Sequence, residues 1–287
     1  MSDRDGPAAG QFDPRRYIGD YFRIERWEIP PPPGEERPSD IGGRMPVDAH
    51  QRGAGGGLVT GGLLTGIDTL GGLLSGLSVL PKWIVTTNMM VTVVHLDHRG
   101  PLRLHGRVLR RGRNAVVTAL DIVDEGDGDR EVASATMTSA VLEPKEMEIS
   151  FDRPHVYPMP APDPDALGLT EFFSIRPGTG PVTRLDLVER LRNPWGILHG
   201  GALAMLADVA TCRAVEVLPG RAVGGTAGVA AGDTVLHYLS PARVGPIEAR
   251  CQVLGGRPGR TLVRVAMHDL GAGDRMVSMG SVAVVDV

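Results

Sequence analysis

The sequence predicts an α+β protein that contains one structural unit twice, each unit an antiparallel sheet wrapped around one long buried helix. Three observations lead to this prediction. A glycine-rich turn followed by a helix-length apolar segment occurs twice, at residues 52–80 and 192–218. Both helical segments are apolar on nearly all sides, which is typical of a helix enclosed by other elements. Several segments rich in Val and Thr follow each helix and have the length of strands.

The repeat is visible as matching residues at a constant spacing. Four residues of the first unit recur 140 positions later: Arg52 and Arg192, Gly56 and Gly196, Leu58 and Leu198, Asp68 and Asp208. Beyond the helix the spacing becomes 145, where Gly100-Pro101 matches Gly245-Pro246. A duplicated unit of roughly 100 residues explains this pattern.

The elements follow in order within each unit. We predict helices over residues 61–80 and 200–218, ended by Pro81 and Pro219. The predicted strands are 84–96, 102–110, 115–123 and 132–142 in unit one, then 234–239, 247–254, 261–268 and 276–285 in unit two.

The domain boundaries come from composition. Residues 1–45 form an N-terminal arm, partly extended because of the prolines at 30–33, and unit one spans 46–145. A Pro-rich linker covers 146–170 and unit two covers 171–287. The aromatic residues of the arm pack it onto the main body or onto a second subunit, unless the arm is a poorly ordered tail.

Composition excludes several classes of function. The net charge of the 287 residues is -4, so no nucleic-acid partner is expected. Two cysteines, Cys212 and Cys251, make no disulfide framework, and no Cys/His cluster suggests zinc. Residues 58–80 are long enough to cross a bilayer, but six glycines and Asp68 favour a helix buried in protein. We expect no membrane span, no secretory signal and a cytoplasmic protein.

One motif in unit two suggests a family. Residues Asn193-Pro-Trp-Gly-Ile-Leu-His-Gly-Gly-Ala-Leu-Ala-Met-Leu-Ala-Asp208 resemble the signature of hotdog-fold acyl-CoA thioesterases of the phenylacetyl-CoA thioesterase-like group. The segment His237-Tyr-Leu-Ser-Pro-Ala-Arg243 resembles the strand and turn that follow in that family. Unit one resembles the same fold more faintly, so the resemblance implies a tandem double hotdog.

The resemblance implies hydrolysis of an acyl-CoA to a free acid and CoA, with CoA as part of the substrate and no cofactor. The chemistry fits the residue types. A thioester carbonyl under attack becomes an oxyanion, and the start of a buried helix supplies backbone N–H donors for it. A carboxylate then serves either as nucleophile or as general base.

Geometry along the helix predicts that each site is shared by both units. Nine residues of helix rise roughly 13 Å, so Asp208 cannot reach the same carbonyl as the N–H groups near His199 and Gly200. Site one therefore combines Asn193, His199 and Gly200 of unit two with Asp68 of unit one. The resemblance adds Thr86, eighteen residues past Asp68, as the residue that holds water.

Site two, the counterpart, has a weaker residue set. It would combine Gly53, Val59 and Thr60 with Asp208, and Ala231 stands where site one has Thr86. We therefore expect one working site, with Asp208 a relic or a support of the inactive pocket. The alternative is that Asp208 serves locally and unit one is only a structural half.

Four further residues are candidates for binding substrate. Gly201 permits close approach of a ligand to the backbone, and Arg110, Arg113 and Arg260 would contact CoA phosphates unless they are plain solubilising charges.

Other functions stay open at this point. A hotdog hydratase or dehydratase, or a non-catalytic acyl-CoA-binding protein, would use the same fold. We also expect the double-hotdog chains to form a homo-oligomer through sheet edges or the arm.

Overall fold

The computed structural model describes residues 18–29, 37–143, 157–179, 181–193, 195–218 and 228–287. The helices are α1 (Ile18–Tyr21), α2 (Thr60–Val79), α3 (Leu169–Phe172) and α4 (Gly200–Glu216). The strands of the first half are β1 (Glu25–Ile29), β2 (Asp40–Met45), β3 (Trp83–Val93), β4 (Leu102–Arg111), β5 (Ala115–Asp124) and β6 (Arg130–Leu142). Those of the second half are β7 (Ile175–Pro177), β8 (Thr183–Leu185), β9 (Val229–Tyr238), β10 (Ile247–Arg257), β11 (Arg260–Asp269) and β12 (Arg275–Asp286).

The twelve strands form one sheet in the order β1-β2-β4-β5-β6-β3-β9-β12-β11-β10-β8-β7, and every pair is antiparallel. Each unit contributes six consecutive strands. The units join at the centre, where Asn88 of β3 lies opposite His237 of β9 and Val91 lies opposite Thr234. The predicted strands and both long helices are therefore present, within a few residues of their expected bounds.

Apolar residues on all sides bury the two long helices inside this sheet. In α2 the side chains of Leu63, Leu64, Ile67 and Leu70 are at most 1% exposed. Each such side chain stabilises the fold by roughly 1.5–3 kcal/mol relative to an exposed one. Helix α2 is long and apolar enough to cross a membrane, but 78% of its most apolar stretch is buried inside the protein. It is a core helix, as the sequence predicted.

Glycines let the two helices cross closely near their starts. A Cβ atom on Gly61 would lie 2.8 Å from the Cα of Met205, and one on Gly201 would lie 2.9 Å from the Cα of Thr65. Such short contacts exclude a side chain at either glycine, since real Cβ atoms do not approach so near. The crossing sets the middle of each helix against the start of the other.

The described part of the N-terminal arm belongs to the body of unit one. Phe22 is fully buried and β2 pairs with β4, so this segment packs onto the main body. Unit two has the same elements in α3, β7 and β8. The rings of Tyr21 and Phe172 stack with centroids 3.9 Å apart, which joins α1 to α3. The prolines at 30–33, Pro219, residues 144–145 of unit one and residues 146–156 of the predicted linker lie outside the described residues.

Candidate active site

Asp68 lies in the middle of α2 and faces the start of α4. Asp68 is buried, with 8% of its surface exposed. The carboxylate oxygen Oδ2 accepts a hydrogen bond from Gly201 N–H at 3.1 Å, and Oδ1 accepts one from the Thr86 hydroxyl at 2.9 Å. A carboxylate at a helix start is stabilised by the free N–H groups and the positive end of the helix dipole. Both oxygens are thereby fixed in direction.

His199 is the N-cap of α4 and lies beside the same carboxylate. Its Nδ1 is 3.1 Å from Asp68 Oδ2 and 3.0 Å from Gly201 N. With Nδ1 unprotonated, it shares the Gly201 N–H with Asp68, whereas a proton on Nδ1 is donated to the carboxylate. In either state the imidazole is held at the edge of the site, with its side chain 19% exposed.

Gly200, the first residue of α4, leaves the space that the carboxylate needs. A Cβ atom at this position would lie 2.7 Å from Asp68 Oδ2. The Gly200 N–H precedes the first intrahelical hydrogen bond and has no partner among the described residues. It is therefore available to an incoming carbonyl oxygen.

Thr86 and Tyr238 complete the surroundings of the carboxylate. A β-bulge between Thr86 and Asn88 in β3 accompanies the turn of the Thr86 hydroxyl towards α2. The Tyr238 hydroxyl donates to the Gly200 carbonyl oxygen at 3.1 Å. Burial, with a smaller effect of the Asp68 charge, raises the pKa of Tyr238 well above its usual value. Tyr238 was not among the residues predicted for the site, although it lies in the segment His237–Arg243 that resembles the thioesterase strand and turn.

Asn193 supports the loop that leads into α4. Its side-chain oxygen accepts hydrogen bonds from the N–H groups of Trp195 at 3.0 Å and Ile197 at 3.3 Å. We predicted that Asn193 belongs to site one, and the structure engages its side-chain oxygen in the turn. Its contribution in this structure is to shape the loop before His199.

Site two repeats the geometry with different chemistry. Asp208 Oδ2 accepts from Gly61 N–H at 2.7 Å, and Oδ1 accepts weakly from the Cys212 thiol at 3.6 Å. Burial raises the pKa of Asp208, against the opposing effects of these two donors. The Thr60 hydroxyl donates to the Ala231 carbonyl oxygen at 2.5 Å. No hydroxyl or imidazole takes the place of Thr86 or His199.

A cavity of about 300 Å³ lies at site two, and it is lined mainly by small or apolar residues. Its lining includes Gly55, Ala231 and Asp208. At the 140- and 145-residue spacings, Gly55 and Gly228 correspond to Trp195 and Trp83. Those two rings contact each other, with centroids 4.5 Å apart. Trp195 therefore stands in unit two at the position of Gly55, a residue of the cavity wall.

The predicted binding residues fall in different places. Gly201 is used by the helix crossing and by Asp68. Arg110 and Arg113 are exposed at the β4–β5 hairpin, and Arg110 is three strands away from Asn88 across the sheet, roughly 14 Å. Arg260 pairs with Asp233 at 3.1 Å beside a second cavity that shares Leu96 with the cavity of site two. The structure thus groups none of these three arginines with Asp68.

Comparison with known proteins identifies the class. Residues 196–271 match the family model of the thioesterase superfamily. No curated protein sequence matches the chain. The tesB protein of Mycobacterium avium subs paratuberculosis is similar in structure, with a TM-score of 0.56, 13% identity, and 87% of this chain and 93% of that chain covered.

Two acyl-ACP thioesterases are similar over comparable lengths. The enzyme of Bacteroides thetaiotaomicron has a TM-score of 0.55 and 10% identity, with 85% of this chain and 97% of that chain covered. The 12:0-ACP thioesterase of Umbellularia californica has a TM-score of 0.57 and 10% identity, with 86% and 94% covered. The chain is a double hotdog, as predicted. The resemblance to hotdog thioesterases is confirmed at the level of the superfamily by the match in unit two.

Proposed function

We propose that this chain hydrolyses acyl-CoA thioesters at site one, between the two units. The observation that carries the proposal is the Asp68 carboxylate, held by Thr86 and Gly201 next to the unpartnered Gly200 N–H. An attacking group and an oxyanion donor thereby lie side by side, which acyl transfer requires.

The reaction proceeds by one of two routes through the same atoms. As general base, Asp68 takes a proton from water while the water oxygen attacks the thioester carbon, and the carbonyl oxygen becomes an oxyanion on Gly200 N–H. The C–S bond then breaks and the CoA sulfur receives the proton from Asp68. As nucleophile, Asp68 attacks the carbon itself, and the C–S bond breaks to leave a mixed anhydride and the CoA thiolate, which takes a proton from solvent. Water then hydrolyses the anhydride to the free acid and restores the Asp68 carboxylate.

Three further residues, Thr86, His199 and Tyr238, hold the reacting groups in place. The Thr86 hydroxyl fixes one carboxylate oxygen and His199 lies at the other. Tyr238 ties the first residue of α4 to β9 through the Gly200 carbonyl, which supports the direction of the adjoining N–H groups. Removal of one donor to an oxyanion costs about 100- to 1,000-fold in kcat in well-studied enzymes.

The test is free-thiol release from a panel of short, medium, long and aromatic acyl-CoAs. Because acyl-ACP thioesterases share the fold, the panel includes the same acyl groups on acyl carrier protein. We expect thiol release from at least one acyl-CoA. Binding without any release would favour the non-catalytic acyl-CoA-binding protein, and hydration of enoyl-CoA without thiol release would favour the hydratase.

A further inference from the structure

The cavity at site two lies between the start of α2, the middle of α4 and the start of β9, and it opens to solvent. Its walls are mostly small and apolar, including Ala54, Val59, Val209 and Ala230. Thr60 also lines the cavity, and its backbone N–H has no partner among the described residues. A mainly apolar space with a few polar groups at its wall is typical of a small-molecule site.

The residues that would support hydrolysis are replaced here by apolar ones. Val59 stands at the position of His199 and Ala231 at that of Thr86. Burial raises the pKa of Asp208, which lessens the cost of placing a carbonyl oxygen near it. The changes weaken catalysis and make the walls more compatible with hydrocarbon.

Charges near the cavity are of both signs. Arg213 and Glu216 line it, and the Arg213 guanidinium already donates to the Val182 carbonyl oxygen at 3.2 Å. This balance offers no strong site for a polyanion. It suits a ligand whose buried part is a neutral chain.

We propose that the cavity at site two binds an acyl group without hydrolysing it, with the chain against the apolar walls and the carbonyl oxygen near Thr60 N–H. The inference goes beyond the proposed function and does not depend on hydrolysis at site one. The acyl group arrives as an acyl-CoA or as the free acid.

The experiment is calorimetric titration with a decanoyl-CoA analogue that has a methylene inserted between the carbonyl carbon and the sulfur, and separately with decanoate. The analogue keeps the carbonyl and cannot be hydrolysed. Val209→Trp fills the cavity from α4, and its matched control Thr69→Trp alters the equivalent position of α2, 140 residues earlier. Ala230→Phe is a second filling variant, and thermal unfolding verifies that each variant is folded.

We expect two analogue molecules per wild-type chain, with the one at the cavity bound at least 100-fold more weakly by Val209→Trp and retained by Thr69→Trp. Competition by decanoate for the Val209→Trp-sensitive site would identify the free acid as a ligand, and lack of competition would identify the thioester. If both filling variants fold and keep every binding event of the wild type, the inference is wrong. A single wild-type event that Val209→Trp removes supports the inference and contradicts the proposed function, because site one then binds nothing.

Discussion

Asp68 and Asp208 occupy equivalent positions on the two long helices, and each accepts a hydrogen bond from a backbone N–H of the other helix. Their remaining neighbours differ. Asp68 has the Thr86 hydroxyl and the His199 imidazole, whereas Asp208 has a weakly donating thiol. Asp68 therefore has polar neighbours that fix its direction, whereas Asp208 faces a cavity with mainly small or apolar walls.

The absence of a side chain at residue 200 is a strict requirement of site one. Gly200→Ala places a methyl carbon 2.7 Å from Asp68 Oδ2, which is closer than van der Waals contact, so the carboxylate must move. We expect kcat for thiol release to fall at least 100-fold. Gly72→Ala in α2 serves as the control. No atom lies within 4 Å of the added Cβ, so this variant should keep full activity. Equal activity of the two variants would contradict the assigned geometry.

Tyr238 allows a test of positioning. Tyr238→Phe removes the hydrogen bond to the Gly200 carbonyl oxygen and keeps the ring. Loss of one buried hydrogen bond is worth about 1 kcal/mol, so we expect kcat to fall roughly 5- to 10-fold with KM nearly unchanged. Steady-state kinetics measures both constants. An increase in KM with unchanged kcat would instead indicate contact with substrate.

The sequence predicts part of this site for a clear reason. The rise of the helix places Asp208 too far from His199 for both to act on one carbonyl. The carboxylate beside His199 must therefore come from the other helix, where Asp68 lies. No comparable rule identifies Tyr238, because its contact depends on how β9 packs against α4. Spacing placed Asn193 beside the site, but spacing alone does not give the direction of a side chain. It therefore does not show that the Asn193 oxygen is bonded within its own turn.

At the scale of elements, matching turns hold the two units in the same shape. Asp124 and Asp269, 145 residues apart, are fully buried at the ends of β5 and β11. Asp269 accepts hydrogen bonds from the N–H groups of Arg243, Val244 and Gly245 at 2.8–3.0 Å. Burial raises the pKa of Asp269, but these hydrogen bonds outweigh it and leave the pKa below its usual value.

This carboxylate predicts an acid-sensitive contribution to stability. A depressed folded-state pKa stabilises the protein above the unfolded pKa, near 3.9, and the contribution is lost as pH falls through the folded value. We expect Asp269→Asn to lower the free energy of unfolding by roughly 2 kcal/mol at pH 7. Denaturant unfolding from pH 7 to 3 should show this difference shrinking below about pH 4. A difference that is constant over this range would contradict the role of the charge.

The elements that the sequence predicts are the long ones. Strands β3–β6 and β10–β12 have ten or more residues each, many of them apolar and alternating with polar ones, and glycine or aspartate turns separate them. Strands β7 and β8 have three residues each, too few for a periodic pattern. The connection between β1 and β2 is longer than that between β7 and β8, so the match between α1 and α3 is hidden from a repeat search at constant spacing.

At the scale of the whole molecule, the two units share one core. The β3–β9 pairing, the crossing of α2 and α4 and the stacked rings of Tyr21 and Phe172 all join them. We therefore expect a single cooperative thermal transition in calorimetry, with equal calorimetric and van't Hoff enthalpies. Two separate transitions would show that the units are energetically independent, and the sites between them would then lack a rigid frame.

The central claim is that catalysis belongs to a carboxylate of unit one at the helix start of unit two. Free-thiol release by Asp68→Asn and Asp208→Asn, on the acyl-CoA that the wild type hydrolyses best, tests it directly. The account predicts a loss of at least 1,000-fold for Asp68→Asn, since an amide is neither base nor nucleophile, and less than about 5-fold for Asp208→Asn. Activity that survives Asp68→Asn and disappears with Asp208→Asn would contradict it.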